Sequence, residues 1–138
     1  MKNLSLSILL VFVNFFTVGC AETKISQCQK IINITQKIAQ ESEKFRQTKD
    51  IKQVLKMADA FETVAKEMQA LKLKDEQLVQ YKTGFIDVYK GNAEVTRKFI
   101  KAFEDKDMMA AKLMQKQVQI IGQKEQQLVT DMNRYCQE

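Results

Sequence analysis

Three cysteines, Cys20, Cys28 and Cys136, are the residues whose type and placement announce covalent chemistry. A thiol can be acylated, can join a second thiol in a disulfide, or as a thiolate can hold a soft metal. Histidine is absent from all 138 residues. That removes the commonest general base, the usual metal ligand and every Ser-His or Cys-His nucleophile. A di-iron or di-manganese centre needs inward Glu-x-x-His pairs, and a haem site would need a histidine beside Met57 or Met68, so neither can be assembled. Glu104, Asp105 and Asp107 gather acidic oxygens. Without the glycine and distal glutamate of a calcium loop, they read as a helix-capping turn. The methionines, Met108, Met109 and Met114 among them, follow helical spacing and are expected to fill the core rather than bind copper. Asn92, Thr35 and Gln117 fall on or near apolar stripes, where they would form a satisfied polar layer or line a small ligand cavity. No residue is assigned to catalysis, to a cofactor or to a metal, and the chain is expected not to be an enzyme.

The cysteines separate by position. Met1-Lys2-Asn3 is a short basic start, Leu4 to Phe16 is apolar, and Thr17-Val18-Gly19-Cys20 is a small-residue stretch ending in cysteine, which is the pattern of a secretory signal. The apolar run is interrupted at Asn14 and too short for a membrane span. Val18-Gly19-Cys20 resembles the lipobox of bacterial lipoproteins, with Thr17 where leucine is usual. The resemblance implies a signal peptide over residues 1–19, acylation of Cys20, and attachment of the exported chain to a membrane through that lipid. The alternative is ordinary cleavage after Ala21, with Gly19-Cys20-Ala21 as the small-x-small site. Either route leaves Cys28 and Cys136. In an oxidising compartment they read as one disulfide, closing a loop of about 109 residues, against the alternative of two unrelated cysteines packed between helices.

The elements that must position these residues are helices. Proline and tryptophan are absent and glycine occurs only four times, which leaves little turn chemistry for a β fold. With 45% hydrophobic and 28% charged residues, the chain can bury a core. Apolar residues recur at steps of three and four, predicting helices over about 23–47, 50–72, 76–103 and 107–136. The first stripe is Ile25, Cys28, Ile32, Thr35, Ala39, Ser42 and Phe45 or its neighbours, with Ile31 and Ile38 beside them; the last includes Ala110, Leu113, Ile120, Ile121, Leu128 and Met132. Asp50 with Gln53 resembles a capping box, and Asp75 is the expected cap of the third helix. Gly84 and Gly91, one heptad apart, suit a close helix approach. Short connections predict an all-α, antiparallel up-down-up-down four-helix bundle, a single domain over 20–138. That topology brings the start of the first helix and the end of the fourth to one pole, so Cys28 and Cys136 meet.

Charge is uneven. The whole chain carries +5, and residues 23–49 hold six basic against two acidic residues. Lys30, Lys37 and Lys44 repeat every seven residues on one helix face and suit an anionic membrane surface or an acidic partner, unless they form only a solvated face. Nucleic acid is not an expected partner, because the basic residues are lysine-dominated without interleaved exposed aromatics and export separates the chain from it. The signal, the helical body and the ending Asn133-Arg134-Tyr135-Cys136 are similar to small exported helical proteins of cyanobacteria. In architecture the chain also resembles the lipid-anchored extrinsic subunits of photosystem II, at the level of fold analogy. The expected function is non-catalytic: a lipid-anchored bundle in the periplasm or thylakoid lumen that binds a protein partner or a membrane surface. The alternatives are a bundle that binds a small ligand, an extrinsic accessory subunit, or a divergent enzyme.

Overall fold

The computed structural model describes residues 22–45 and 48–138; the segment expected to be a signal peptide, and Cys20, lie outside the described residues. Four helices form: α1 (Lys24–Phe45), α2 (Ile51–Ala70), α3 (Glu76–Glu104) and α4 (Met108–Gln137). Each helix start after the first is set by an aspartate. Asp50 accepts from the Lys52 amide at 2.9 Å, Asp75 from Leu78 at 2.9 Å and Asp107 from Ala110 at 2.9 Å. These carboxylates satisfy amides that have no partner within the helix. At Asp50 the bond goes to Lys52 and not to Gln53, so the capping box is reduced to its simple form. The turn after α3 is a Schellman closure, with Asp107 N–H donating to Ala102 O and Lys106 N–H to Phe103 O. Lys106 takes the left-handed conformation this requires, at φ 59°.

The helices run up, down, up, down as a four-helix bundle, and no strand occurs among the described residues. Cross-helix pairs fix the antiparallel sense. Arg97 on α3 bonds Asp59 and Glu62 on α2, Lys124 on α4 faces Asp87 on α3, and Lys37 on α1 reaches Glu67 on α2. Helix α3 is the centre, packed along its length by α2 on one side and α4 on the other. Leu78, Phe85, Val88 and Tyr89 of α3 are fully buried against Val64, Ala65 and Met68 of α2 and Met132 of α4. Gly84 and Gly91 face α4 as the heptad spacing implies: a Cβ at Gly84 would lie 2.8 Å from Leu128 Cδ2, and one at Gly91 3.2 Å from Ile121 Cδ1.

Helix α1 is the looser element. It packs mainly on α2, and its buried residues are Gln27, Cys28, Ile31 and Ile38, while Ile25 is 70% exposed and Ala39 is also exposed. The expected stripe therefore sits out of phase: its centre moves onto Ile31 and Ile38, because α1 meets one helix broadly instead of two. Cys28 and Cys136 form the disulfide, with Cα atoms 6.1 Å apart and a separation of 108 positions in sequence. Beyond that bond about 26 Å of α1 remains but about 42 Å of α4, at 1.5 Å per residue. The first three turns or so of α4 thus run past the end of α1. Met108 and Met109, expected in the core, are 65% and 85% exposed there, since no fourth helix reaches them.

Closing so long a loop restricts the unfolded chain strongly, on a chain-entropy account. Replacing both Cys28 and Cys136 by serine is expected to cost about 2–5 kcal/mol in denaturant unfolding while leaving helicity by circular dichroism largely intact. Equal midpoints for the parent and the double variant would show that the bond adds no stability.

Candidate functional site

At the disulfide pole, polar groups join three helices. The Gln27 side chain is buried, and its Oε1 accepts from Lys74 N–H at 2.6 Å and from Asp75 N–H at 3.1 Å. Tyr135 OH donates to Asp75 Oδ2 at 2.8 Å, and Lys24 donates to Tyr135 O at 3.0 Å with its ammonium 4.6 Å from the ring centroid. The backbone amide of Leu78, then the Tyr135 hydroxyl, hold the Asp75 carboxyl below its ordinary pKa despite partial desolvation. Tyr135 is pushed up in return, first by that same hydrogen bond. These groups are saturated by one another. The pole is a clasp. Gln27 was not singled out in the sequence because a glutamine beside a cysteine carries no periodic signal.

The lysines of α1 lie on one face as their spacing implies. Lys30 pairs with Glu22, and Lys37 bonds Glu67 at 2.7 Å, so two of the three charges are locally compensated; Lys44 is exposed. The acidic turn divides its roles: Asp107 caps α4 and Asp105 pairs with Lys101 at 2.8 Å. Among the described residues no group of three or more His, Cys, Asp or Glu is placed to hold a metal ion, and no helix is long and apolar enough to cross a membrane. Asn92 is buried in α3, and Thr35 lies half-buried on α1. Gln117 is exposed, against expectation, because α4 turns its neighbours Met114 and Ile121 toward α3. These three residues do not converge on one cavity.

A different arrangement occupies the seam between α1 and α4. Away from the disulfide the two helices separate into a groove of about 550 Å³, lined by Thr35 and Ala39 from α1 and Gly122, Glu125, Val129 and Thr130 from α4. Burial pushes the Glu125 carboxyl above its ordinary pKa, and the nearby Tyr89 hydroxyl offsets part of that rise. Tyr89, on α3, is wholly buried, and its hydroxyl interacts with Glu125 without completing a full hydrogen bond. Burial, then the Glu125 charge, push that phenol well above its ordinary pKa. Gly122 has no neighbour within 4 Å of the place a Cβ would take, unlike Gly84 and Gly91. A glycine inside a helix costs about 1 kcal/mol relative to alanine, and here no packing contact requires it.

The outer face of α4 carries a second feature. Met109, Leu113 and Ile120 are 85%, 53% and 50% exposed. With Lys116 they follow steps of four, three and four residues, a heptad seam facing away from the bundle. Leu113 and Ile120 were expected in the core. Sequence periodicity counts both stripes of α4 as inward, whereas Ala111, Ile121, Leu128, Val129, Met132 and Tyr135 turn toward the bundle and Leu113 and Ile120 do not. Comparison with family models, with curated proteins and with solved structures finds no match for this chain.

Two outcomes test the clasp. Gln27→Ala leaves two amides at the start of α3 without their acceptor and is expected to lower stability by about 1–3 kcal/mol in urea unfolding. Asp75 has a lowered folded pKa, so its stabilising contribution is present above the ordinary carboxylate pKa and is lost as pH falls through the folded value. Asp75→Asn keeps a capping oxygen but removes that titration. Its unfolding midpoint should fall less steeply than the parent's as pH is lowered below about 4; parallel acid profiles would remove Asp75 from the account.

Proposed function

We propose that this chain is a non-catalytic binding module, tethered at one pole by lipid on Cys20 and docking a partner protein along the outer face of α4. The observation that carries the reading is the exposed seam Met109–Leu113–Lys116–Ile120. An apolar strip at heptad spacing is the surface an amphipathic helix packs against. Between Met108 and Gln123 the charged residues are Lys112 and Lys116, with no acid. That favours a partner helix with acidic flanks, and disfavours a second copy set lysine against lysine.

The geometry of a tether supports the same reading. Residue 22 follows the lipobox-like segment and lies at the disulfide pole, while Met109 is at the far end of a helix of 30 residues, about 45 Å long. A lipid on Cys20 would hold the clasp near the membrane and the α4 strip away from it. The Cys28–Cys136 bond suits an exported, oxidising compartment, the periplasm or a thylakoid lumen. The lysine stripe Lys30, Lys37 and Lys44 would add attraction to an anionic lipid surface to the extent that Glu22 and Glu67 leave its charge free.

A palmitate analogue should label the chain in cells, and Cys20→Ser should abolish the label and release the protein from membranes. A photoreactive residue at Val118 should give one discrete adduct in intact membranes, lost in Met109→Ser/Leu113→Ser/Ile120→Ser and in Lys112→Glu/Lys116→Glu, with melting unchanged. Labelling that persists in Cys20→Ser removes the tether. Adducts unaffected by either set of substitutions remove the docking strip, and a homodimer dissociated by the serine set assigns it to a second copy.

A further inference from the structure

We propose that the seam between α1 and α4 is a binding site for a small organic ammonium ion, with Glu125 as its counter-charge. Two features meet there. Among the described residues Glu125 is a desolvated carboxylate with no ion pair, on the wall of a groove whose lining holds no lysine or arginine. A half-buried carboxylate without a cation is costly, and a ligand that brings one removes the cost. The Tyr89 hydroxyl is wholly buried beside this carboxylate, and the two interact without completing a full hydrogen bond, although buried hydroxyls ordinarily find a partner. Gly122 keeps the groove floor free of a side chain where no neighbouring helix demands it.

The remaining wall groups select the ligand's chemistry. Thr35 donates its hydroxyl proton to Ile32 O at 2.9 Å, and Thr130 donates to Gln126 O at 2.9 Å. With those protons committed, both oxygens are left as acceptors toward the groove. Glu125 is an acceptor as well when ionised. These three groups favour a donor, and an ammonium group offers three; the Gln36 and Gln126 amides, also on the wall, can accept as well as donate. Ala39 and Val129 supply apolar surface for a short alkyl chain beside it. A metal ion is the poorer fit, because a single carboxylate is too few ligands for a hard cation. The groove's volume of about 550 Å³ lies within the range of small-ligand sites. The site stands apart from the α4 strip and does not depend on what docks there.

The test is titration of the disulfide-bonded chain with n-butylamine, sodium butyrate and Nα-acetyl-lysine amide, followed by ¹H–¹⁵N NMR. Butylamine at millimolar concentration is expected to shift the amides of Ala39, Gly122 and Val129 saturably, with butyrate silent. Glu125→Gln should weaken binding about tenfold or more, Glu125→Asp should restore part of it, and Tyr89→Phe should weaken it several-fold. Gly122→Leu, which fills the floor with a better helix former, should abolish binding while raising the melting temperature. Tighter binding of butylamine than of the lysine amide assigns the seam to a free amine, and the reverse assigns it to a lysine side chain of another protein; either keeps the ammonium site. No saturable shift, shifts of equal size in Glu125→Gln, or butyrate binding as well as butylamine would overturn it.

Discussion

The bond between Cys28 and Cys136 is the constraint from which the shape of this bundle follows. It ties the first turns of α1 to the last turn of α4, at the pole where Gln27, Asp75 and Tyr135 interlock. Gln27 supplies an acceptor to the chain just before α3, Asp75 caps α3, and Tyr135 brings α4 onto that cap. Three helix ends are thereby held through side chains that are each other's partners. A buried polar network of this kind is costly when one member is missing and specific when complete. The covalent bond makes completeness easier, because it keeps α1 and α4 together while the weaker contacts form.

Away from that pole, α1 depends on α2. Ile31 and Ile38 bury against it, and the connection after Phe45 returns directly into it. The pairing of α3 with α4 is of a different kind: Gly84 and Gly91 let the backbones approach until Leu128 and Ile121 lie where a methyl group would otherwise stand. Close packing on one side of α4 and separation on the other are thus properties of the same helix. Gly122, aligned with the open side, has no comparable contact. Burial of apolar surface stabilises in proportion to area, so the closed α3–α4 and α2–α3 faces hold the fold. The α1–α4 face contributes less and is free to differ.

Much of this was legible in the residues. Helix bounds came within two residues at every end, because the aspartates at 50, 75 and 107 interrupt the apolar periodicity and supply the cap together. The pairing of Cys28 with Cys136 followed from topology. The phase of the outer helices did not. Periodicity reports that a helix has an apolar side, but not how many neighbours cover it. α4 carries two apolar sides, and Leu113 and Ile120 on the outer one look no different in sequence from Leu128 and Met132 on the inner one. Tyr89 and Glu125 stand 36 positions apart on different helices, each unremarkable alone, so their meeting is visible only in three dimensions.

The outer strip of α4 and the seam toward α1 share a helix but not a stabilising role. Met109, Leu113 and Ile120 give most of their apolar surface to solvent, so the bundle gains little from their identity. Glu125 is unfavourable to the unliganded fold at neutral pH, since a carboxyl whose pKa is raised by folding destabilises the folded state once ionised. Selection for stability alone would place serine or glutamate on the strip, alanine at Gly122 and a neutral residue at Glu125. Each of these positions departs from the choice that serves the fold, while the positions facing α3 do not. Exposed Ile25 on α1 and Phe103 on α3 depart in the same way, whereas Leu128 and Met132 of α4 pack into the core, so on this helix the inner positions hold the shape and the outer ones add little to it.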